Sequence, residues 1–201
     1  MNKPQASAVF QYQKGLYMNI TVFLASNTGK DPSYAEAARD FGRWIAQHGH
    51  KLIYGGANDG LMTVLADSVL DHGGQVTGIM PAFMAQKGRN HSGLTSMRIV
   101  SDMEERKKAL IDAGDAYVAL PGGPGTLEEI SQAISAVRLG LNSGPCIFLN
   151  LNGFYEPVKQ LLGQMEEQEF VREGQFDNVY FPDTVEELGQ ILEEKHRMKD
   201  R

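Results

Sequence analysis

Short apolar runs alternate along the chain with longer segments in which apolar residues recur every three or four positions. The runs Ile20–Ala25, Leu52–Tyr54, Val76–Met80, Arg98–Val100, Ala116–Leu120, Cys146–Asn150 and Val179–Phe181 are too short for helices and mostly apolar, so they predict strands. Helical periodicity covers Tyr34–His48, Leu61–His72, Glu104–Ala113, Leu127–Leu139, Phe154–Glu167 and Val185–Glu194, each closing near glycine, asparagine or a polar turn. Strand–helix alternation to the end of the chain predicts an α/β fold, a single-domain Rossmann-like parallel sheet with helices on both faces. The connection Pro81–Met97 carries little pattern and reads either as a mobile lid or as an ordinary surface loop.

Residues 1–17 are polar and irregular and read as an N-terminal extension, with Met18 an alternative start. Residues 18–195 form the domain, and 196–201 a charged tail. At 201 residues and 42% hydrophobic content, one such domain buries a core without disulfides or metals. The single cysteine, Cys146, lies in an apolar run, which points to a reduced, buried thiol and a cytoplasmic protein. A net charge of -6 argues against a nucleic-acid surface, and no segment suits a membrane span or a secretory signal. The five histidines, His48, His50, His72, His91 and His196, do not fall at ligand spacings, so no metal site is expected. His48 and His50 flank Gly49 at a helix end, where a histidine commonly meets the last carbonyls.

Three glycine-bearing turns follow strands: Ser26-Asn27-Thr28-Gly29, Gly55-Gly56-Ala57-Asn58-Asp59-Gly60 and Pro121-Gly122-Gly123-Pro124-Gly125-Thr126. In an open parallel sheet the carboxyl ends of the strands line one crevice, so the turns are expected to converge there. The third feeds into a helix whose free N–H groups and positive dipole end suit a phosphate. It lacks the Gly-Lys-Ser/Thr of a Walker A loop, and none of the three turns matches Gly-x-Gly-x-x-Gly, which favours a mononucleotide over ATP or NAD.

Two readings of Thr126-Leu127-Glu128-Glu129 stand side by side: a capping box with Thr126 as N-cap, or a catalytic Glu129. Upstream, Arg106 sits near the start of a helix, where a cation opposes the dipole, and this favours a ligand role over a merely solvated face.

The string Pro121-Gly122-Gly123-Pro124-Gly125-Thr126-Leu127-Glu128-Glu129, with Met103, Arg106 and Lys107 and the stretch His91-Ser92-Gly93-Leu94-Thr95, resembles the LONELY GUY family, bacterial branch, over Ile20 to Leu192. The resemblance implies hydrolysis of the N-glycosidic bond of a nucleoside 5′-monophosphate, AMP or a cytokinin ribotide, to free base and ribose 5-phosphate. It implies Arg106 and Glu129 as the catalytic pair, a homodimer in which both protomers shape the site, and neither metal nor cofactor. Phosphate and nucleotide binding fall to Gly122, Gly123, Gly125, Thr126, Ser26, Gly56 and Lys107. Asp102 and Asp115 are candidates to protonate the leaving base, against cap or turn roles. Met84 and Met97 are candidates for the base pocket, against core filler.

The chain departs from the family pattern at Ala57, Thr63, Glu104, Pro124 and Ala136-Val137-Arg138. Those positions bear on base specificity, and they sustain an alternative: a nucleotide-binding protein of the same fold with little turnover. The family's older label, lysine decarboxylase, finds no support in the residues, since Lys107 and Lys108 read as a charged helix face.

Overall fold

A computed structural model describes residues 17–199. The strands are β1 (Asn19–Phe23), β2 (Lys51–Tyr54), β3 (Gln75–Pro81), β4 (Ser96–Val100), β5 (Ala116–Ala119), β6 (Cys146–Phe148) and β7 (Val179–Tyr180). The helices are α1 (Ser33–Gln47), α2 (Gly60–Asp71), α3 (Ala82–Ala85), α4 (Met103–Ala113), α5 (Pro124–Arg138), α6 (Glu156–Glu167) and α7 (Val185–Lys199). The strands form one sheet in the order β4-β3-β2-β1-β5-β6-β7, every pairing parallel. This is the doubly wound α/β architecture expected from the alternation.

Successive strand residues face opposite sides, and each side has its own core. Ile20, Val22, Leu52, Tyr54, Val118 and Ile147 pack with Phe41 and Ile45 of α1, Leu65 and Val69 of α2, and Leu188 and Leu192 of α7. Phe23, Ile53, Ile79, Tyr117 and Phe148 pack with Leu110 of α4 and Ile130 and Ala133 of α5. Burial on both sides is why the central strands read as continuous apolar runs, whereas the edge strands β4 and β7 are mostly exposed or half-buried. Thr21 is fully buried and satisfied, its hydroxyl donating to the Leu110 carbonyl at 2.9 Å. Cys146 is buried too, and burial pushes its thiol up to about 12.

Helix ends follow local chemistry. Gly49 adopts φ 71° after α1, with Gly49 N–H donating to the Ala46 carbonyl and His50 N–H to the Ile45 carbonyl. These bonds close the helix through a left-handed residue. His48 meets the Trp44 carbonyl at 2.8 Å, as its place at the helix end suggests. His50 does not. It is buried, accepting the Met18 N–H at Nδ1 and facing Glu193 with Nε2.

Three expectations change. Helix α5 begins at Pro124, not at Leu127, because proline at the first helical position has its φ preset and no N–H to satisfy. Helix α7 continues through Lys199, so 196–199, read as charged tail, are helical, with the His196 ring against that of His50. The connection 81–97 is neither free lid nor plain loop: it contains α3 and then bridges Asn90 to Ala57 in antiparallel fashion. The extension read at 1–17 lies, except for Tyr17, outside the described residues, as do 200–201 of the tail.

Candidate active site

The sheet order reverses between β1 and β5, and a crevice opens at the carboxyl ends of those strands. A cavity of about 430 Å³ occupies it. Its floor is the end of β1 running into Ser26 and Asn27. Gly123, Pro124, Gly125, Thr126 and Glu129 of the third turn and α5 form one wall, Gly55, Ala57 and Met62 the other, and Met84 and Arg89 cover it. All three glycine turns therefore meet. Gly60, at φ 52°, lets the second turn press on the first so closely that a Cβ there would lie 2.4 Å from the Ser26 carbonyl carbon.

Around the third turn, Leu120 N–H donates to the Phe23 carbonyl, and the buried Tyr155 hydroxyl donates to the Leu120 carbonyl at 2.7 Å. These bonds fix the end of β5 from both sides. Gly123 is the N-cap of α5, with no side-chain cap. The first turn of the helix thus lines the cavity with no side chain capping its N–H groups. Gly122 lies behind the turn, where a Cβ would come 2.2 Å from Thr126 Oγ1.

The capping-box reading does not survive this geometry. With Gly123 as N-cap, Thr126 lies inside the helix, and Glu129 turns to Arg106, whose Nη1 donates to Oε1 at 2.7 Å. Both side chains are nearly enclosed, 13% and 14% exposed. Burial pushes the Glu129 carboxyl above its ordinary value by more than the Arg106 guanidinium pulls it down. Among the described residues, Arg106 Nε is a buried donor without a hydrogen-bond partner. Nη2 reaches past Gly55, where any Cβ would stand 2.5 Å from it. Gly55 is one of the cavity residues that sequence reasoning missed, with Arg89: the strand-end glycine pair was visible, but not which of the two faces the guanidinium.

Other candidates fall elsewhere. Gly56, at φ 77°, shapes the second turn but backs onto Gly78 and Met97 instead of lining the cavity. Met84 lines it; Met97 packs behind. Lys107 lies in a separate groove between α4 and α5, gripped by Glu104 at 3.0 Å and Glu128 at 2.8 Å, which hold its ammonium above the usual lysine value. Asp102 caps α4, accepting from Glu105 N–H at 2.9 Å, and Asp115 accepts from Asn19 N–H at the opposite end of the sheet. Neither proton-donor candidate lines the cavity. Of the departures from the family pattern, Ala57 and Pro124 line the cavity, Glu104 and Ala136 the groove, and Thr63 and Arg138 neither. Among the described residues no group of histidine, cysteine and carboxylate side chains is arranged to hold a metal.

A carboxylate of raised affinity for protons, locked to a permanent cation beside a helix N-terminus, suits a reaction that binds an anion and develops positive charge nearby. Residues 62–192 match a family model described as "Possible lysine decarboxylase". A cytokinin riboside 5′-monophosphate phosphoribohydrolase of Rhodococcoides fascians is 43% identical over 141 residues, 70% of this chain and 71% of that protein. The probable enzyme of the same name LOGL1 of Oryza sativa subsp. japonica is 33% identical over 192 residues, 96% and 86% of the two chains. Among solved structures, the molybdenum cofactor carrier protein of Chlamydomonas reinhardtii superposes with a TM-score of 0.67 at 19% identity, covering 87% of this chain and 95% of that one. At that identity the likeness is one of fold.

Proposed function

The chain belongs to the LONELY GUY family of phosphoribohydrolases, and from that premise we propose that it hydrolyses the N-glycosidic bond of a nucleoside 5′-monophosphate to free base and ribose 5-phosphate. The observation that carries the reading is the enclosed Arg106–Glu129 pair beside the uncapped start of α5.

Phosphate binds at the helix start, on Gly123, Gly125 and Thr126, where backbone N–H groups and the dipole favour an anion. The ribose then lies over Glu129. As the C1′–N bond breaks, C1′ gains positive charge that the carboxylate stabilises. A water oriented by Glu129 forms the C1′–O bond and gives up a proton, and the departing base nitrogen takes one up from solvent, so that one water is consumed per bond cleaved. Arg106 grips the Glu129 carboxylate through its guanidinium, so its role is to fix Glu129 and not to donate a proton. Among the described residues none that lines the cavity is a lysine, which leaves the decarboxylase label without a side chain there to form a Schiff base. The alternative, a binding protein with little turnover, is disfavoured by the presence of both Arg106 and Glu129 and is tested by the same assay.

Glu129 acts as a carboxylate, so activity is expected to rise with pH as it deprotonates. Because its proton is held more tightly than an ordinary glutamate's, the acidic limb of kcat/KM should lie above the usual carboxylate range. Stability runs the other way: the group's contribution is full below its unfolded-state value and lost as pH rises through the native one. A pH–rate profile whose acidic limb stays at the ordinary glutamate position would contradict this role.

We place the homodimer seam at the groove between α4 and α5, about 800 Å³, which ends at Leu139 and Leu141, 74% and 76% exposed. Two such leucines on one rim are costly in water and suited to a self-complementary patch. Replacing both with aspartate is expected to give a monomer in sedimentation, whereas an unchanged mass would remove the groove from the interface. No described helix is long and apolar enough to cross a membrane, and the reduced, buried Cys146 supports a cytoplasmic setting.

A further inference from the structure

We propose that Arg89 reads the base and selects a purine carrying a carbonyl at C6. This rests on the cavity being a nucleoside 5′-monophosphate site. Arg89 comes from the bridged connection, not from any glycine turn, and nothing in its sequence surroundings marks it. Its carbonyl accepts from Asn58 N–H at 2.9 Å, and His91 N–H donates to the Gly56 carbonyl at 3.0 Å, so the backbone is pinned on both sides. Its guanidinium is pinned as well: Nε and Nη2 both donate to Asp59 Oδ2, at 3.2 and 2.7 Å. Asp59 is the N-cap residue of α2, yet its side chain does not cap that helix. A carboxylate that ordinarily satisfies its own helix is committed to aiming a cation.

The aim is toward the base. Across the sheet the second turn follows β2, the first β1 and the third β5. Two strand spacings, roughly 10 Å, therefore separate the walls. That is about the distance over which a nucleotide separates its phosphate from the far side of its base. With the phosphate on α5, the base arrives at Met62, Met84 and Arg89. The methionines offer apolar contact without direction; Arg89 offers direction. A guanidinium has five N–H donors and no acceptor, and Asp59 leaves the Nη1 hydrogens and one on Nη2 available. O6 and N7 of a 6-oxopurine are two acceptors in the spacing such a fork fits, whereas adenine presents N7 beside an amino donor that meets the cation donor to donor. At 48% exposure the Arg89 side chain is accessible to a ligand.

Calorimetric titration of IMP, AMP and ribose 5-phosphate, with Glu129→Gln as the background of both proteins so that the nucleotides stay intact, tests this without turnover. The protein that keeps Arg89 is expected to bind IMP at least about tenfold more tightly than AMP. Arg89→Gln supplies an amide that pairs with adenine N6 and N7, so it should abolish or reverse the preference while ribose 5-phosphate affinity stays the same. A latch that merely held the connection in place would lower both nucleotides together. Equal binding of IMP and AMP by the protein that keeps Arg89 overturns the inference and leaves the hydrolase reading intact. So does a loss of ribose 5-phosphate affinity in Arg89→Gln as large as the loss of IMP affinity, which would assign Arg89 to the phosphate. Binding of none of the three ligands overturns both readings.

Discussion

Glu129→Gln is expected to slow base release by about a thousandfold, the scale of a positioned acid–base group, while ribose 5-phosphate binds within a few-fold of wild type. Glutamine keeps the length and one acceptor oxygen but lacks the charge that stabilises C1′ and the basicity that draws a proton from water. The proposed phosphate site is expected to lose nothing, since it is assigned to the backbone start of α5 and not to Glu129. The fold is expected to survive. Removing a carboxylate whose charged form is disfavoured by burial offsets part of what Arg106 loses as its partner. Single-turnover kinetics with parallel thermal melting separates the cases. A folded variant that retains most of its rate would strip Glu129 of its role.

Gly60→Ala is expected to be the most damaging small substitution near the site. Its Cβ would lie 2.4 Å from the Ser26 carbonyl carbon and 2.5 Å from both the Asn27 nitrogen and the Ser26 oxygen, all backbone atoms. Its φ of 52° is strained for alanine besides. Backbone cannot step aside as a flexible side chain does, so the first and second turns must separate. A destabilisation on the order of 2–4 kcal/mol is expected, with ligand affinity falling through the displaced cavity floor. Urea unfolding and calorimetry measure the two effects. A variant of unchanged stability would show that the turns yield more easily than their contact implies.

The central strands were legible because burial on both faces leaves unbroken apolar runs, while the edge strands β4 and β7, mostly exposed or half-buried, were marked by shorter runs at the regular strand–helix spacing. The convergence of the turns followed from parallel strands ending on one side. What escaped depends on direction in space. Arg106 and Lys107 are adjacent in sequence, but successive residues on a helix point about 100° apart, so only Arg106 reaches the cavity while Lys107 enters the α4–α5 groove. Thr126 resembles a cap until Pro124 is recognised as a helix start, which moves it one turn inward. Arg89 enters through an antiparallel bridge between residues 57 and 90, a pairing across more than thirty positions that no local periodicity records.

The most direct test of the hydrolase reading is to incubate the purified protein with AMP, an N6-prenylated AMP, IMP and GMP and to quantify free base and ribose 5-phosphate together by chromatography. The expected result is equimolar release of both products from at least one of these nucleotides, abolished in Glu129→Gln. Nucleotides that bind yet remain intact over many hours, with neither product appearing, would contradict hydrolysis and leave a nucleotide-binding protein.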